Sequence, residues 1–182
     1  MKHLSIIALA LLLIAPMALA EVTGAGPGGF RVSHSMETPA STREVYRAIV
    51  NRISSWWDGD HSWSGDAANL YFNARLGGCF CERLPNGGRV EHLRIIYLAP
   101  ESEIRMQGAL GPLQQMGLNG SMIWQMKASD KGSTITFQYT VSGFPPEGGF
   151  EGLAPAVDGV IGSQLQGLIG FLEPVQVQPE DG

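Results

Sequence analysis

The chain has 182 residues, of which 44% are hydrophobic and 16% charged, and its formal net charge is -5 at pH 7. This length and composition are typical of one globular domain that buries a real core. The 12 Lys and Arg residues form no cluster. Nucleic acid is therefore excluded as an expected partner, because affinity for it comes chiefly from grouped positive charges.

Residues 1–20 have the order of a cleavable signal peptide. Lys2 and His3 form a short basic start, an apolar run extends from Ile6 to Ile14, and Ala18-Leu19-Ala20 fits a signal-peptidase site before Glu21. The run is shorter than the ~20 apolar residues that a membrane-spanning helix needs. We therefore expect a secreted or periplasmic protein with no membrane span after cleavage. An uncleaved N-terminal anchor is the alternative.

The start of the mature chain predicts a linker, a strand and a helix. Residues 21–29 are expected to be a flexible linker, because Gly24–Gly29 lacks apolar residues that would hold it in place. Alternation from Phe30 to Met36 predicts the first strand. Thr38 is then the expected cap of a helix and Pro39 its first residue. Helical character continues to residue 57, and a loop rich in Gly, Asp and Ser follows.

The remainder predicts strands and one long helix. Alternation and turn residues place six strands near residues 69–75, 78–84, 89–98, 102–109, 119–128 and 133–143. A helix from about Leu153 to Leu172 follows, and residues 174–182 are expected to be a disordered tail. This order predicts an α+β domain: a curved antiparallel sheet of about six or seven strands, a short helix pair after the first strand, and a long C-terminal helix packed across the sheet.

Seven segments between residues 30 and 173 carry a family resemblance by their order and spacing. They are Thr38-Pro39-Ala40, Val45-Tyr46, Trp56-Trp57, Ala74 to Glu82, Gly87 to His92, Gly120 to Met126 and Gly132 to Tyr139. Together they resemble the SRPBCC superfamily, whose START-like or helix-grip fold is shared by polyketide cyclases and homologues of the chaperone-ATPase activator domain. The resemblance implies that the long helix closes a cavity for an apolar ligand. The superfamily shares no single chemistry, so it implies a fold more than a reaction.

The two cysteines lie on one predicted strand, next to a predicted hairpin. A two-residue turn at Asn86-Gly87 supplies the required positive φ angles and would set the pairs Cys79–Arg94, Cys81–His92 and Glu82–Glu91. Cys79, Cys81 and His92 would then share a sheet face, and these ligand types suit zinc or copper. No fourth ligand is evident, so the favoured interpretation is two buried thiols beside a hydrogen-bonded histidine, with no metal and no cofactor.

A disulfide between these cysteines would require local distortion, because residues two apart in a regular strand are separated by ~6.6 Å. Unbridged cysteines are best buried in an oxidising compartment. We therefore expect the face that carries Cys79 and Cys81 to point inward or to be covered, and the sequence leaves their redox state open.

The loop at residues 56–66 contains aromatic and polar groups together. Trp56, Trp57 and Trp63 could wall a binding site, while His61 with a neighbouring aspartate could act as an acid/base pair. Calcium binding by the aspartates is conceivable, although the ligand pattern of a calcium loop is missing. Alternatively, the tryptophans anchor the helices to the sheet, and the polar groups make hydrogen bonds within the loop.

Glu82 lies at mid-strand among apolar neighbours, where it could be a buried acid with a raised pKa, suited to acid/base chemistry, or an exposed strand residue. The apolar connection 108–118 could be a mobile lid or a cover for the core. No serine-hydrolase elbow, phosphate loop, dinucleotide motif or His-Glu-x-x-His motif occurs.

These features favour a protein that binds an apolar or aromatic small molecule between the sheet and the last helix. Glu82 and His92 are its expected polar groups, and its expected walls are Trp56, Trp57, Trp63, Phe80, Trp124, Phe137 and Tyr139. The alternative is an enzyme of the cyclase, dehydratase or hydrolase type, with Glu82, His92 or His61 as catalytic candidates. The outer face of the last helix, rich in Gly, Ser and Gln, suggests either the close approach of another surface, as in a homodimer, or a helix loose enough to let a ligand pass. A chaperone-activator role is not expected after export.

Overall fold

The structure, a computed structural model, describes residues 19–173, which include one eight-stranded antiparallel sheet. Its strands are β1 (Leu19–Gly26), β2 (Gly29–Thr38), β3 (Leu70–Phe72), β4 (Cys79–Arg83), β5 (Arg89–Ala99), β6 (Glu103–Gln107), β7 (Asn119–Ser129) and β8 (Gly132–Ser142). The strand order is β1-β2-β8-β7-β6-β5-β4-β3. With α1 (Thr42–Arg52) and the long α2 (Gly149–Leu172), the predicted α+β fold is confirmed.

The first strand lies where the sequence predicts a flexible linker at 21–29, and that prediction is wrong. β1 pairs with β2 from Leu19–Ser35 to Gly26–Gly29. Strand pairing uses backbone N–H and C=O groups, so a segment poor in apolar residues can still extend a sheet. The predicted disordered tail and residues 1–18 of the predicted signal peptide lie outside the described residues.

Helix α1 begins later than the sequence predicts. Thr38 belongs to β2 and Pro39 precedes the helix, so their predicted roles as cap and first helical residue are wrong. Ser41 is the N-cap: its hydroxyl accepts a hydrogen bond from the Glu44 N–H at 3.4 Å, and Glu44 Oε2 accepts one from the Ser41 N–H at 2.8 Å. This reciprocal capping box satisfies two backbone donors at the start of the helix.

Helix α2 packs against β1, β2 and α1. Its buried residues include Phe150, Ala154, Ile161, Leu165 and Leu168. They face a sheet surface on which alternate residues of β7 and β8 are buried, among them Trp124 and Phe137, whose rings stack at 4.4 Å. The core therefore lies between the sheet and the two helices. Among residues 19–173 no helix has the length and apolar character needed to cross a membrane.

The hairpin between β4 and β5 departs from the predicted register. Pro85 has no N–H, so it cannot donate the hydrogen bond that a two-residue turn at Asn86-Gly87 needs from its flanking residue. Leu84 donates to the Gly88 carbonyl at 2.8 Å instead. The pairing slips by one residue, so the predicted partners of Cys81 and Glu82 are wrong.

A β-bulge at His92 takes up this slip, because His92 is an extra residue on β5. The observed pairs are Cys79–Arg94, as predicted, with Phe80–Leu93, Cys81–Glu91 and Glu82–Val90. His92 contacts both Phe80 and Glu82, which alternate along β4 with the two cysteines. His92 therefore does not share a face with Cys79 and Cys81.

Cys79 and Cys81 form a disulfide, so the favoured interpretation of two thiols is wrong, and the redox state that the sequence left open is the oxidised one. Their Cα atoms are 5.4 Å apart, closer than the ~6.6 Å of two residues along a regular strand. The pairing of β4 with β5 is irregular between Phe80 and Cys81, so the disulfide lies where the ladder departs from regular pairing. Since both sulfurs are bonded and His92 lies on the opposite face, the three candidate metal ligands do not come together.

Candidate functional site

A cavity of about 420 Å³ lies between the sheet and the N-terminal half of α2. Its wall is mainly apolar and comes from four parts of the chain: loop 57–63, strands β4 and β5, loop 110–116, and α2 from Leu153 to Ile161. Met116 and Trp63 are 46% and 38% exposed, so they mark the mouth. A volume of this size is within the range of small-molecule pockets.

The aromatic loop at the cavity is held on both sides. The Asp58 N–H donates to Gln164 Oε1 of α2 at 2.9 Å, and Trp57 Nε1 donates to the His61 carbonyl at 3.2 Å. On the sheet side, the Trp63 and Ser64 N–H groups donate to Glu82. The loop therefore links α2 to β4 and positions Trp57 and Trp63 in the wall.

Glu82 is fully buried. Of the two environments considered from the sequence, a buried acid or an exposed strand residue, the structure therefore shows the buried one. Its two carboxylate oxygens accept hydrogen bonds from the Trp63 N–H at 3.0 Å and the Ser64 N–H at 2.6 Å. Burial raises the pKa of Glu82, but the hydrogen bonds from Ser64, Trp63 and His92 outweigh it and hold the pKa below its ordinary value. Glu82 is thus a buried carboxylate, whereas the sequence-based hypothesis was an acid with a raised pKa.

His92 is 3% exposed and lies against Glu82 in the cavity wall. Its Nε2 is 3.0 Å from Glu82 Oε2, and its ring packs on Phe80 with centroids 5.0 Å apart. Burial lowers the pKa of His92, and the neighbouring Glu82 opposes this only in part. The other ring nitrogen, Nδ1, is buried and has no hydrogen-bond partner within the described residues.

Loop 108–118 forms part of the cavity wall and is fixed at its base by Tyr139. The Tyr139 hydroxyl donates to the Gly108 carbonyl at 3.2 Å and accepts from the Leu110 N–H at 3.1 Å. Burial raises the pKa of Tyr139 to about 12. Leu113 is buried, so this connection covers the core and the cavity together.

The structure separates the predicted ligand-binding aromatics into two groups. Trp57, Trp63 and Phe80 line the cavity. The other four, Trp56, Trp124, Phe137 and Tyr139, are buried in the core and are not among the lining residues.

The three catalytic candidates lie in two separate places. Glu82 and His92 form one buried pair, whereas His61 is exposed at the mouth, 3.9 Å from Asp58. Within residues 19–173 no group of three or more His, Cys, Asp or Glu side chains is arranged to hold a metal ion.

Several lining residues were not predicted from the sequence. Loop 110–116 contributes Leu110, Pro112, Leu113 and Met116, and α2 contributes Leu153, Ala156, Val157, Val160 and Ile161. The apolar face of the last helix was visible in the sequence as a core face. Because periodicity does not distinguish a helix face against the sheet from one against a cavity, the lining role could not be assigned.

A curved antiparallel sheet with a long C-terminal helix over it, and a cavity between them, defines the helix-grip, START-like class of fold. No protein-family model and no curated protein sequence matches the chain. Solved structures match most of the chain, and they confirm the predicted helix-grip, START-like fold.

Three of these structures illustrate the likeness. CalU16 from Micromonospora echinospora is 14% identical, covering 87% of this chain and 88% of its own, with a TM-score of 0.58. Protein MLL2253 from Mesorhizobium loti is 13% identical, covering 81% and 99%, with a TM-score of 0.59. The Aha1 dimer from Colwellia psychrerythraea is 17% identical, covering 80% and 98%, with a TM-score of 0.54. At these identities the matches establish the fold and no activity.

Proposed function

We propose that this protein is an exported binding protein, secreted or periplasmic, that holds an apolar or aromatic small molecule between the sheet and α2. The observation that carries the proposal is the cavity of about 420 Å³ with its mainly apolar wall. Binding sites for small molecules are typically concave, apolar and equipped with few polar groups. The export part of the proposal rests on the signal-peptide pattern of residues 1–20.

A fluorescence titration with N-phenyl-1-naphthylamine tests cavity binding, because this neutral dye brightens in apolar surroundings. Val160 lines the cavity, whereas Ser163 is exposed on the same helix and does not line it. We expect Val160→Trp to fill the cavity and weaken dye binding at least tenfold, and the control Ser163→Trp to bind as the wild type does. Equal affinities in all three proteins would contradict binding in this cavity.

An acid/base enzyme working in the same cavity is the second candidate. The specific observation in its favour is that His92 carries a free Nδ1 while its Nε2 is held by Glu82, which is the arrangement of a positioned general base. Chemical conversion of a bound molecule, detected by mass spectrometry and abolished in His92→Phe, would support it. Release of the same molecule unchanged would favour the binding protein.

A homodimer remains a proposal about partners. On α2, Gly152, Gly159 and Gly170 have no atom within 4 Å of the position where a Cβ would lie, so another surface could approach closely there. One similar structure, Aha1 from Colwellia psychrerythraea, is described as a dimer. A monomeric mass by light scattering at high protein concentration would contradict the proposal.

A further inference from the structure

The wall of the cavity includes a histidine with an unpaired ring nitrogen, which a purely apolar binding site does not require. His92 Nδ1 is buried and makes no hydrogen bond with any described residue, and the ring that carries it lines the cavity. A buried polar atom without a partner is costly. A bound molecule that supplies the missing hydrogen bond would remove that cost.

The contacts of Glu82 determine what kind of hydrogen bond is missing. Its carboxylate oxygens accept from the N–H groups of Trp63 and Ser64, which can only donate. The same oxygen that accepts from Trp63 is 3.0 Å from His92 Nε2, so an ionised Glu82 requires a proton on Nε2. In a neutral imidazole the other nitrogen is then an acceptor. His92 Nδ1 is therefore an acceptor without a partner, on a ring that lines the cavity.

The charges around the cavity restrict the ligand further. None of the lining residues in the described part of the chain is Lys or Arg, and Asp60 is exposed at the mouth. The Glu82 carboxylate contacts His92 at Nε2. An anionic ligand would meet negative charge without a compensating cation, which disfavours carboxylates and phosphates.

We propose that the ligand is a neutral, largely hydrocarbon molecule with one hydroxyl or N–H group, and that this group donates a hydrogen bond to His92 Nδ1. The inference deepens the proposed function and rests on it. His92 is the recognition group and Glu82 the positioning residue, because Glu82 contacts the histidine and not the ligand. The cavity then selects phenol-like or alcohol-like molecules over hydrocarbons of the same shape.

A pair of probes of nearly equal shape tests this selection: 1-naphthol, which carries a donor, and 1-methylnaphthalene, which does not. Equilibrium dialysis of the purified full chain gives both dissociation constants and their ratio. Removing the acceptor in His92→Phe keeps an aromatic ring on Phe80. We expect 1-naphthol to lose about tenfold or more in affinity relative to 1-methylnaphthalene in this variant.

The matched control is His34→Phe. Within residues 19–173, His34 is the other buried histidine paired with a carboxylate, 2.8 Å from Asp158, and it is not among the residues that line the cavity. We expect this variant to keep the wild-type ratio. If both probes bind and the ratio is unchanged in His92→Phe, the inference is overturned while cavity binding stands. If neither probe binds the wild type, the proposed function is overturned, and the inference with it.

If His92→Phe does not fold, a measurement on the wild-type protein tests whether His92 Nδ1 accepts the hydrogen bond. The ¹⁵N chemical shifts of the His92 ring report which nitrogen carries the proton. We expect a protonated Nε2 and a bare Nδ1 at neutral pH, and an upfield shift of Nδ1 when 1-naphthol is added. A protonated Nδ1, or a bare Nδ1 that does not respond to bound 1-naphthol, would contradict the inference.

Discussion

At the scale of single residues, the account depends on two ionisable side chains buried side by side. Glu82 and His92 lie 3.0 Å apart, and both have pKa values below their ordinary values. Folding therefore favours an ionised carboxylate beside a neutral imidazole. Both groups bind protons more readily in the unfolded chain than in the folded one, so acid destabilises the fold through each of them.

The pH dependence of stability is the corresponding prediction. The unfolded chain takes up a proton at His92 as the pH falls through 6.5 and at Glu82 as it falls through 4.5, their ordinary values. The folded chain does so only at lower pH, so we expect the free energy of unfolding to fall in two steps below these values.

Urea unfolding at a series of pH values, with His92→Phe beside the wild type, measures both steps. The variant should lack the first step. A variant that loses stability between pH 6.5 and 4.5 as steeply as the wild type would contradict this assignment.

The sequence identified both members of this pair but not their contact. Glu82 and His92 stood out as polar residues in apolar strands. Their contact depends on the bulge at His92, which follows from Pro85 lacking an N–H at the turn. A register predicted from Asn86-Gly87 alone has no bulge, so it places His92 on the sheet face of the two cysteines. The unpartnered Nδ1 is a property of the packed interior, so no pattern in the sequence could indicate it.

At the scale of elements, the glycines of α2 have two different environments. A Cβ at Gly162 would lie 2.7 Å from His34 Cε1, whereas a Cβ at Gly159 would meet nothing within 4 Å. The first glycine lets the helix approach β2, whereas the second has no neighbour in the described chain that a Cβ would meet. The same residue type in one helix is therefore expected to respond to substitution in opposite directions.

Alanine substitutions test this difference. We expect Gly159→Ala to stabilise the fold by about 0.4–1 kcal/mol, because alanine lowers the entropy of the unfolded chain and favours the helix. Gly162→Ala should destabilise it by roughly 1–3 kcal/mol through overpacking against His34. Chemical denaturation of both variants gives the two values, and effects of the same sign would contradict the described packing.

The disulfide in β4 gives a second prediction at this scale. It closes a loop with a sequence separation of 2, and the chain-entropy argument for so short a loop predicts a stabilisation of about 1.5 kcal/mol. Adding dithiothreitol should lower the free energy of unfolding of the wild type by that amount. A variant with both cysteines replaced by serine is the control, since it should not respond. An equal response in both proteins would rule out a stabilising bridge.

The sequence predicts the boundaries of elements well where hydrophobic periodicity is strong. It predicts them poorly where backbone hydrogen bonds determine where an element begins or ends. The long strands β7 and β8 alternate clearly between buried and partly exposed residues. The start of α1 was misplaced although Ser41 and Glu44 form a capping-box pattern that the sequence displays. β1 is held by backbone pairing with β2, which side-chain patterns do not report.

At the scale of the whole molecule, export is the property that the sequence predicts and the described residues do not test. Cleavage after Ala20 would leave Glu21 as the first residue and keep Glu21–Gly26 of β1. We expect N-terminal sequencing of the protein recovered outside the cytoplasm to begin at Glu21. A chain recovered only with an intact N-terminus would contradict export by signal cleavage.

The helix-grip arrangement itself could be predicted from the order of elements, because a sheet and a long helix that are each apolar on one side must bury those sides together. The family resemblance implied a cavity, but the residues that line it could not be separated from those that fill the core, since both groups are apolar. Phe80 lines the cavity and Phe137 fills the core, although both are buried phenylalanines on strands of the same sheet.

The central claim is that an apolar molecule binds between the sheet and α2, and intermolecular nuclear Overhauser effects test it most directly. With 1-naphthol bound, we expect its ring protons to show contacts to methyl groups of Leu113, Met116 and Val160, which line the cavity. Contacts to Leu172 in the groove between α1 and the end of α2, with none to those three side chains, would contradict it.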